Sequence, residues 1–229
     1  MVVVLTYNTP HRKTQDLLFQ LKVKSEVNIT VIGLPFKYVK KFQPMIQHRP
    51  SKCLDISNSE FCKRLGFIYE DLEHDHLVAR LKELNPKMIL IAGAGILDKE
   101  IVNDYFVVNS HPGILPDVRG LDALKWAIYL GKKIGVTLHV INEEADGGFR
   151  IKEELIPLYK NDTFHSIAYR QYEYEIDLLS DSVRLLQDVK SKAELPRINT
   201  ENTKPNIRMG LEEEKRLFDK LKQRLEEIK

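Results

Sequence analysis

Short runs rich in Val and Ile alternate with longer amphipathic stretches through the first two thirds of the chain, and this rhythm limits the fold more than any other feature. Val2 to Leu5, Val27 to Ile32, Met88 to Ile91 and Tyr105 to Val108 read as strands buried on both faces. Between them, Lys13 to Lys24, Phe61 to Leu65, Leu77 to Leu84 and Asp122 to Leu130 place apolar residues at helical spacing. Asn85-Pro86 ends the third of these stretches and Gly131 caps the fourth. Strands alternating with helices imply an α/β fold, a doubly wound and mostly parallel Rossmann-like sheet with right-handed crossovers. Ligands in such a sheet sit beyond the carboxyl ends of the strands.

The sheet is expected to continue through Ile134 to Val140 and Phe149 to Pro157, followed by a long helix from Asp162 to Lys190. After Pro196 the composition turns polar, which reads as a linker across 191–210. A charged helix from Leu211 to Ile228 then forms a short C-terminal extension. Its stripe of Leu211, Leu217, Phe218, Leu221, Leu225 and Ile228 must pack on something, this domain or a second subunit, and a homodimer through this helix is expected.

The 35 basic and 33 acidic residues leave a formal charge of +2, so no global basic field for nucleic acid exists. Two cysteines, Cys53 and Cys62, lack both disulfide and metal-ligand patterning, which fits a reducing cytoplasm. The apolar start is too short for a secretory signal, and no stretch approaches the roughly 20 apolar residues of a membrane span.

The segment Asn109-Ser110-His111-Pro112-Gly113-Ile114-Leu115-Pro116 follows a buried strand with polar residues and then blocks any helix. Asn109 and His111 are two residues apart, so both side chains leave one face of an extended chain. An amide NH2 and an imidazole NH make a donor pair for a carbonyl gaining negative charge. The same residues also suit a turn in which they satisfy backbone groups. Further on, Gly135 to Ile151 holds a strand and an acidic loop in which Gly147 and Gly148 leave Asp146 aimed at a fixed place. A loop carboxylate beside an imidazole orients it, keeps it protonated and accepts protons through water.

Together these segments resemble the 10-formyltetrahydrofolate-dependent formyltransferases, whose pattern is Asn-x-His-x-x-x-Leu-Pro followed by a strand and a loop ending in Asp-Gly-Gly. The stretch Leu90 to Leu97 is similar to the family's strand and loop walling the folate pocket. The resemblance is specific over residues 86–157 and looser over 1–85, and it implies that residues 1–190 form the catalytic domain. It implies that Asn109 and His111 bind the formyl oxygen while Asp146 holds His111 cationic and relays a proton. It also implies that backbone at Ala94, Gly95, Ile96 and Leu97 and at Asn142, Glu143, Glu144 and Ala145 holds the pterin of 10-formyltetrahydrofolate, with no metal.

Three family branches differ in the acceptor amine. The glycinamide ribonucleotide branch carries a Gly-Ser-Asn loop after its first strand, whereas this chain reads Thr6-Tyr7-Asn8-Thr9-Pro10-His11-Arg12-Lys13-Thr14. The methionyl-tRNA branch appends a C-terminal barrel, for which the tail after Lys190 is short. The nucleotide-sugar branch often shows Leu-Pro-x-x-Arg-Gly and a downstream Trp, as in Leu115-Pro116-Asp117-Val118-Arg119-Gly120 and Trp126. An amino sugar carried on a nucleotide is therefore the expected small-molecule acceptor, with Arg12 and Lys13 at a helix start and Arg119 and Gly120 as binding residues. Glycinamide ribonucleotide formylation is the alternative. Hydrolysis of formyltetrahydrofolate is another, although that branch usually carries an N-terminal domain and strand one here starts at Val2. Weaker signals are Gly93-x-Gly95, which lacks the third glycine of a dinucleotide fingerprint, and Glu73-His74-Asp75-His76, which suits a metal or an exposed helix start. The basic stretch Phe36 to Pro50, with Lys37, Lys40, Lys41, His48 and Arg49, suits a solvated loop or a phosphate site.

Overall fold

Successive residues of the first strand, β1 (Val2–Tyr7), enter two different cores. Val2 and Val4 join the larger one, and Val3 and Leu5 join a smaller one on the opposite face. This explains why the strand is apolar at every position from Val2 to Leu5: helices cover it on both sides. The computed structural model describes residues 1–24, 27–36 and 44–228. Six further strands accompany β1: β2 (Ile29–Leu34), β3 (Ile68–Asp71), β4 (Met88–Ile91), β5 (Val107–His111), β6 (Gly135–Val140) and β7 (Phe149–Leu155). They form one sheet in the order β3-β2-β1-β4-β5-β6-β7, parallel through β5 and antiparallel at β6 and β7.

The helices are α1 (Arg12–Lys24), α2 (Asn58–Leu65), α3 (Leu77–Leu84), α4 (Lys99–Asp104), α5 (Ala123–Tyr129), α6 (Phe164–Leu185) and α7 (Leu211–Glu226). Local chemistry sets their ends. Ser57 caps α2 and accepts from the Glu60 N–H, and Asn85 turns left-handed at the end of α3 just before Pro86. Thr163 and Ser166 close a reciprocal capping box at the start of α6. The α/β class and the doubly wound, mostly parallel sheet match the expectation. β3 and α4 were not legible in the periodicity. β3 lies at the sheet edge with Ile68 65% exposed, and α4 is a six-residue turn after a loop. The connection from β1 runs out to β2 and β3, then returns across to β4, so the β1/β4 boundary is the topological switch point.

The tail departs most from expectation. The polar segment read as a linker lies along the domain, bridging Arg197 to Phe149 and Asn206 to Gly120, with Ile198 and Met209 buried. Beyond it, α7 buries Leu217, Leu221 and Leu225 in the main core, against α5. Lys125 of α5 and Glu214 of α7, both 0% exposed, form an ion pair beneath them. Of the two places expected for this stripe, this domain takes its central residues, which are covered within the chain, while Leu211 and Phe218 of the stripe remain well exposed. Replacing Leu221 with Ala is expected to lower the unfolding free energy by about 2–5 kcal/mol, the usual cost of emptying such a site. Urea denaturation at several protein concentrations checks this, since a loss arising within one chain does not depend on concentration.

Candidate active site

On β5, Val107, Asn109 and His111 share one face and Val108 and Ser110 the other. The antiparallel register sets His139 opposite Asn109 and Thr137 opposite His111, so four polar side chains meet on one face of two adjoining strands. His139 is buried, with its Nδ1 2.8 Å from the Gly147 carbonyl. That carbonyl only accepts, so the proton sits on Nδ1 and the Nε2 lone pair faces the Asn109 amide, Nδ2 at 3.4 Å. Burial, assisted by the neighbouring His111, pushes the His139 imidazole down to about 4 and keeps it neutral. Thr137 Oγ1 donates to the Gly113 carbonyl at 2.8 Å and accepts from the Leu115 N–H at 3.1 Å, pinning the turn that follows β5.

The His111 ring is buried between two acceptors. Nδ1 stands 3.2 Å from Asp146 Oδ1 and Nε2 stands 2.8 Å from the Val118 carbonyl. Only a doubly protonated ring donates to both. Gly113 makes room for it, since a Cβ there would stand 2.9 Å from Nε2. The other Asp146 oxygen accepts from the Gly120 N–H at 2.6 Å. Burial alone would raise the Asp146 carboxyl, but His111 and the Gly120 N–H outweigh it and bring it down to about 2. The Asp146 backbone is left-handed, φ 51°, and Gly148 follows at φ 101°, where a Cβ would stand 2.1 Å from the Val140 carbonyl.

Arg119, expected at the substrate, is buried behind this pair. Its Nε and Nη2 donate to the Ala145 carbonyl at 3.0 and 2.6 Å, and its Nη1 donates to the Thr203 carbonyl at 2.9 Å. Gly120 lies against Asn206, whose carbonyl oxygen would stand 2.2 Å from an added Cβ. Trp126 Nε1 likewise donates to the Ile207 carbonyl at 2.8 Å. The structure thus turns Arg119, Gly120 and Trp126, the first two expected at the acceptor, toward the C-terminal segment.

Two loops border the end of β4. In the first, Ala94 and Leu97 pack with Ile141 on the smaller core, Gly95 stands in open space, and Ile96 is 102% exposed. In the second, Asn142 Oδ1 accepts from the Glu144 N–H, Glu143 pairs with Lys99 at 2.6 Å, Glu144 bonds Thr200, and the Ala145 carbonyl is taken by Arg119. The Lys99–Glu143 contact ties the second loop to α4, which follows the first.

At the β1/β4 switch point a cavity of about 250 Å³ is lined by Tyr7, His11, Lys13, Arg49, Gly93 and Tyr172 among others. Lys13 Nζ lies 2.8 Å from one oxygen of the buried Glu175, and Arg49 bonds the other. Burial would raise the Glu175 carboxyl, but the charges of Arg49 and Lys13 bring it down to about 2. Burial, with those two cations, pushes the His11 imidazole down to about 4. Arg12, expected beside Lys13 at the acceptor, instead pairs with Asp16 at 2.6 Å and donates to the Lys52 carbonyl, away from this cavity. Lys37, Lys40 and Lys41 lie outside the described residues. Among the described residues no cluster of metal-ligating side chains exists. Larger grooves of about 570 and 730 Å³ contain none of Asn109, His111 or Asp146, and the convergence of polar groups identifies the site better than size does. His139 is the residue sequence reasoning missed, whereas Arg49, named there within the basic stretch 36–50, is brought to this cavity. Thr137 and His139, two apart in an otherwise apolar strand, were the available signal.

The mostly parallel α/β sheet thus brings Asn109 and the buried His111, at the end of its fifth strand, together with Asp146 from the β6–β7 loop. The chain belongs to the formyl transferase family, whose model matches residues 3–183. It is 31% identical over 135 residues to the trifunctional purine biosynthetic protein adenosine-3 of Chironomus tentans, covering 57% of this chain and 9% of that protein. It is 31% identical over 114 residues to the methionyl-tRNA formyltransferase of Caldanaerobacter subterraneus, covering 48% of this chain and 37% of that one. The chain thus spans well under two thirds of the length of these curated relatives. Its fold is similar to a sugar N-formyltransferase from Shewanella (TM-score 0.60, 21% identity, 90% of this chain and 76% of that one). It is also similar to the phosphoribosylglycinamide formyltransferase of Anaplasma phagocytophilum (TM-score 0.61, 22% identity, 82% and 87%). No helix among the described residues is long and apolar enough to cross a membrane.

The depressed Asp146 carboxyl has a consequence for acid stability. Its stabilising effect is complete above the ordinary value of 3.8 and is lost as pH falls toward about 2. Asp146→Asn is expected to cost on the order of 2 kcal/mol at pH 5, and the difference from wild type should close by pH 2. Urea titrations of both proteins between pH 2 and 6 measure it.

Proposed function

We propose that the protein transfers a formyl group from 10-formyltetrahydrofolate to the primary amine of a small-molecule acceptor, an amino sugar carried on a nucleotide, in the cytoplasm. The observation that carries this reading is the convergence of Asn109, the buried His111 and Asp146 at the end of β5 in a chain of this family. The two loops beside β4 fit a flat heterocycle: Gly95 leaves open space, Ile96 offers an exposed apolar edge, and Leu97 with Ile141 backs it. Residues 94–97 and 142–145 would hold the folate, which supplies the formyl carbon that the acceptor amine attacks.

The chain's own residues then act as follows. His139 Nε2 accepts a hydrogen bond from one Asn109 amide N–H and so fixes its orientation, leaving the other N–H for the formyl oxygen as that oxygen gains charge. His111, charged and held by Asp146, adds its Nε2 proton to the same oxygen by exchanging the Val118 carbonyl for it. The bond from the acceptor nitrogen to the formyl carbon would form first, placing negative charge on that oxygen, and the bond to the folate nitrogen would break as the charge returns. The proton released by the amine passes through Asp146 to the departing nitrogen, so charge balances. At the switch point, Lys13 and Arg49 serve an anionic group of the acceptor.

Support for a nucleotide sugar comes from Leu115 to Gly120 with Trp126 and from the Shewanella likeness, which extends over most of the chain. Glycinamide ribonucleotide is the second reading, since Lys13 and Arg49 also suit a single phosphate. A thermal-shift screen of nucleotide amino sugars and glycinamide ribonucleotide, with a folate analogue present, discriminates them. Release of formate without any amine would point to hydrolysis instead.

Asn109→Ala is expected to lower turnover by roughly a hundredfold or more while folate affinity holds, the scale of losing one donor to an oxyanion. Steady-state turnover close to wild type would remove Asn109 from the reaction. Lys13→Glu should raise the acceptor Michaelis constant about tenfold, or about 1.4 kcal/mol. Arg12→Glu, whose guanidinium is turned to Asp16, should leave it near wild type, and the same kinetics compare the two.

A further inference from the structure

The loop from Met45 to Arg49 is anchored at every residue, and most of its anchors belong to the last two helices. The Ile46 side chain is buried in the main core. The Gln47 carbonyl accepts from His165 Nε2 at 3.1 Å, and the His48 ring meets Phe164 edge-on at 5.9 Å. Phe164 in turn meets Phe218 of α7 at 6.4 Å between ring centres. Arg49, at the tip, bonds Glu175 of α6 while 46% of its side chain stays open, beside the switch-point cavity. At the head of the loop, the Met45 N–H donates to Glu214 Oε2 of α7 at 2.8 Å, and the other Glu214 oxygen bonds Lys125.

A wholly buried carboxylate needs donors for both oxygens, or its desolvation goes uncompensated. Lys125 satisfies one. The second is satisfied by a backbone group only four residues from Arg49, in a loop 169 positions earlier in the chain. A charge-assisted bond of this kind is stronger and more directional than a neutral one. Mere neutralisation of Lys125 would leave that second oxygen free to bond any neighbour.

We propose that Glu214 is a positioning residue for the acceptor: through the Met45 N–H it sets the loop that presents Arg49, so the C-terminal helix is part of the acceptor site. This rests on the reading of the switch-point cavity as the place of the acceptor's anionic group. Glu214 touches neither the folate nor the reacting atoms, and its effect is on acceptor affinity.

Two variants separate the contact from the fold. Glu214→Gln keeps the side-chain shape but leaves one acceptor oxygen for two donors. Met45→Pro removes the loop donor, extends the existing Pro44, and leaves the Lys125–Glu214 pair whole. Inorganic pyrophosphate serves as the anionic probe and tetrahydrofolate as the control, each titrated calorimetrically, with Arg49→Met as reference. Hydrogen exchange of the 44–54 segment reports the loop directly. Both variants should weaken pyrophosphate about tenfold, on the scale of one charged hydrogen bond, speed exchange in 44–54, and leave tetrahydrofolate affinity unchanged. If Arg49→Met weakens pyrophosphate while both variants bind it as wild type does, or if exchange is unchanged, the positioning role is overturned and the acceptor reading stands. If wild type does not bind pyrophosphate, or Arg49→Met binds it unaltered, the acceptor reading fails and takes this inference with it. Should Glu214→Gln fail to fold, Met45→Pro decides alone.

Discussion

A carboxylate largely withdrawn from solvent needs donors on both oxygens, and Asp146, in the β6–β7 loop, draws them from separate parts of the chain. One is His111 on β5, the other the Gly120 N–H just ahead of α5. Gly120 can stand there only because it has no side chain, since Asn206 lies within 2.2–2.5 Å of where its Cβ would be. Behind Asp146, Arg119 ties Ala145 to Thr203. Three loops distant in sequence are thereby fixed around one carboxylate. Without those two donors, the left-handed backbone at Asp146 would have much less to hold it in place.

The reversal of strand direction after β5 makes this possible. In an antiparallel pair, residues stand directly opposite one another, so His139 meets Asn109 without a stagger. The β6–β7 turn then does two jobs at once. It returns the Gly147 carbonyl to His139 and delivers Asp146 to His111. Both histidines on this face are thus placed by adjacent residues of a single turn, His139 by the Gly147 carbonyl and His111 by the Asp146 carboxylate. A parallel continuation would have required a long crossover and would have separated these two partners.

Much of this was legible in the sequence because it rests on local chemistry. Buried strands betray themselves by apolar runs, as at Val2 to Leu5, and helix ends by residues such as Asn85-Pro86. The polar interruption at Asn109 and His111 and the glycines after Asp146 carried the site. What was not legible depends on tertiary pairing. The edge strand Ile68–Asp71 buries too little to leave an apolar pattern. Arg119 looks like any substrate-facing arginine until the carbonyls of Ala145 and Thr203 arrive from elsewhere. The α7 stripe looked unpartnered because Lys125, a charged residue, marks the helix face that covers it, and its partner Glu214 lies 89 positions away.

Glu175 and Asp146 solve one electrostatic problem in two ways. Each is a carboxylate that burial would raise and that its partners bring down to about 2, Lys13 and Arg49 for Glu175, His111 and the Gly120 N–H for Asp146. Asp146 serves a single imidazole, a group whose proton can leave, and so forms a pair able to exchange protons with a reacting nitrogen. Glu175 serves two basic side chains, Lys13 and Arg49, with a single carboxylate, so the cluster has one basic group in excess of its acid. The Arg49 side chain is half open, which leaves guanidinium donors beyond those used by Glu175. On the proposed reading this divides the labour physically: charge that must move sits at the strand end, and charge that must stay sits at the switch point. The second of these needs rigid cations more than strong ones, which is why a loop braced by Glu214 suits it better than a glycine turn would.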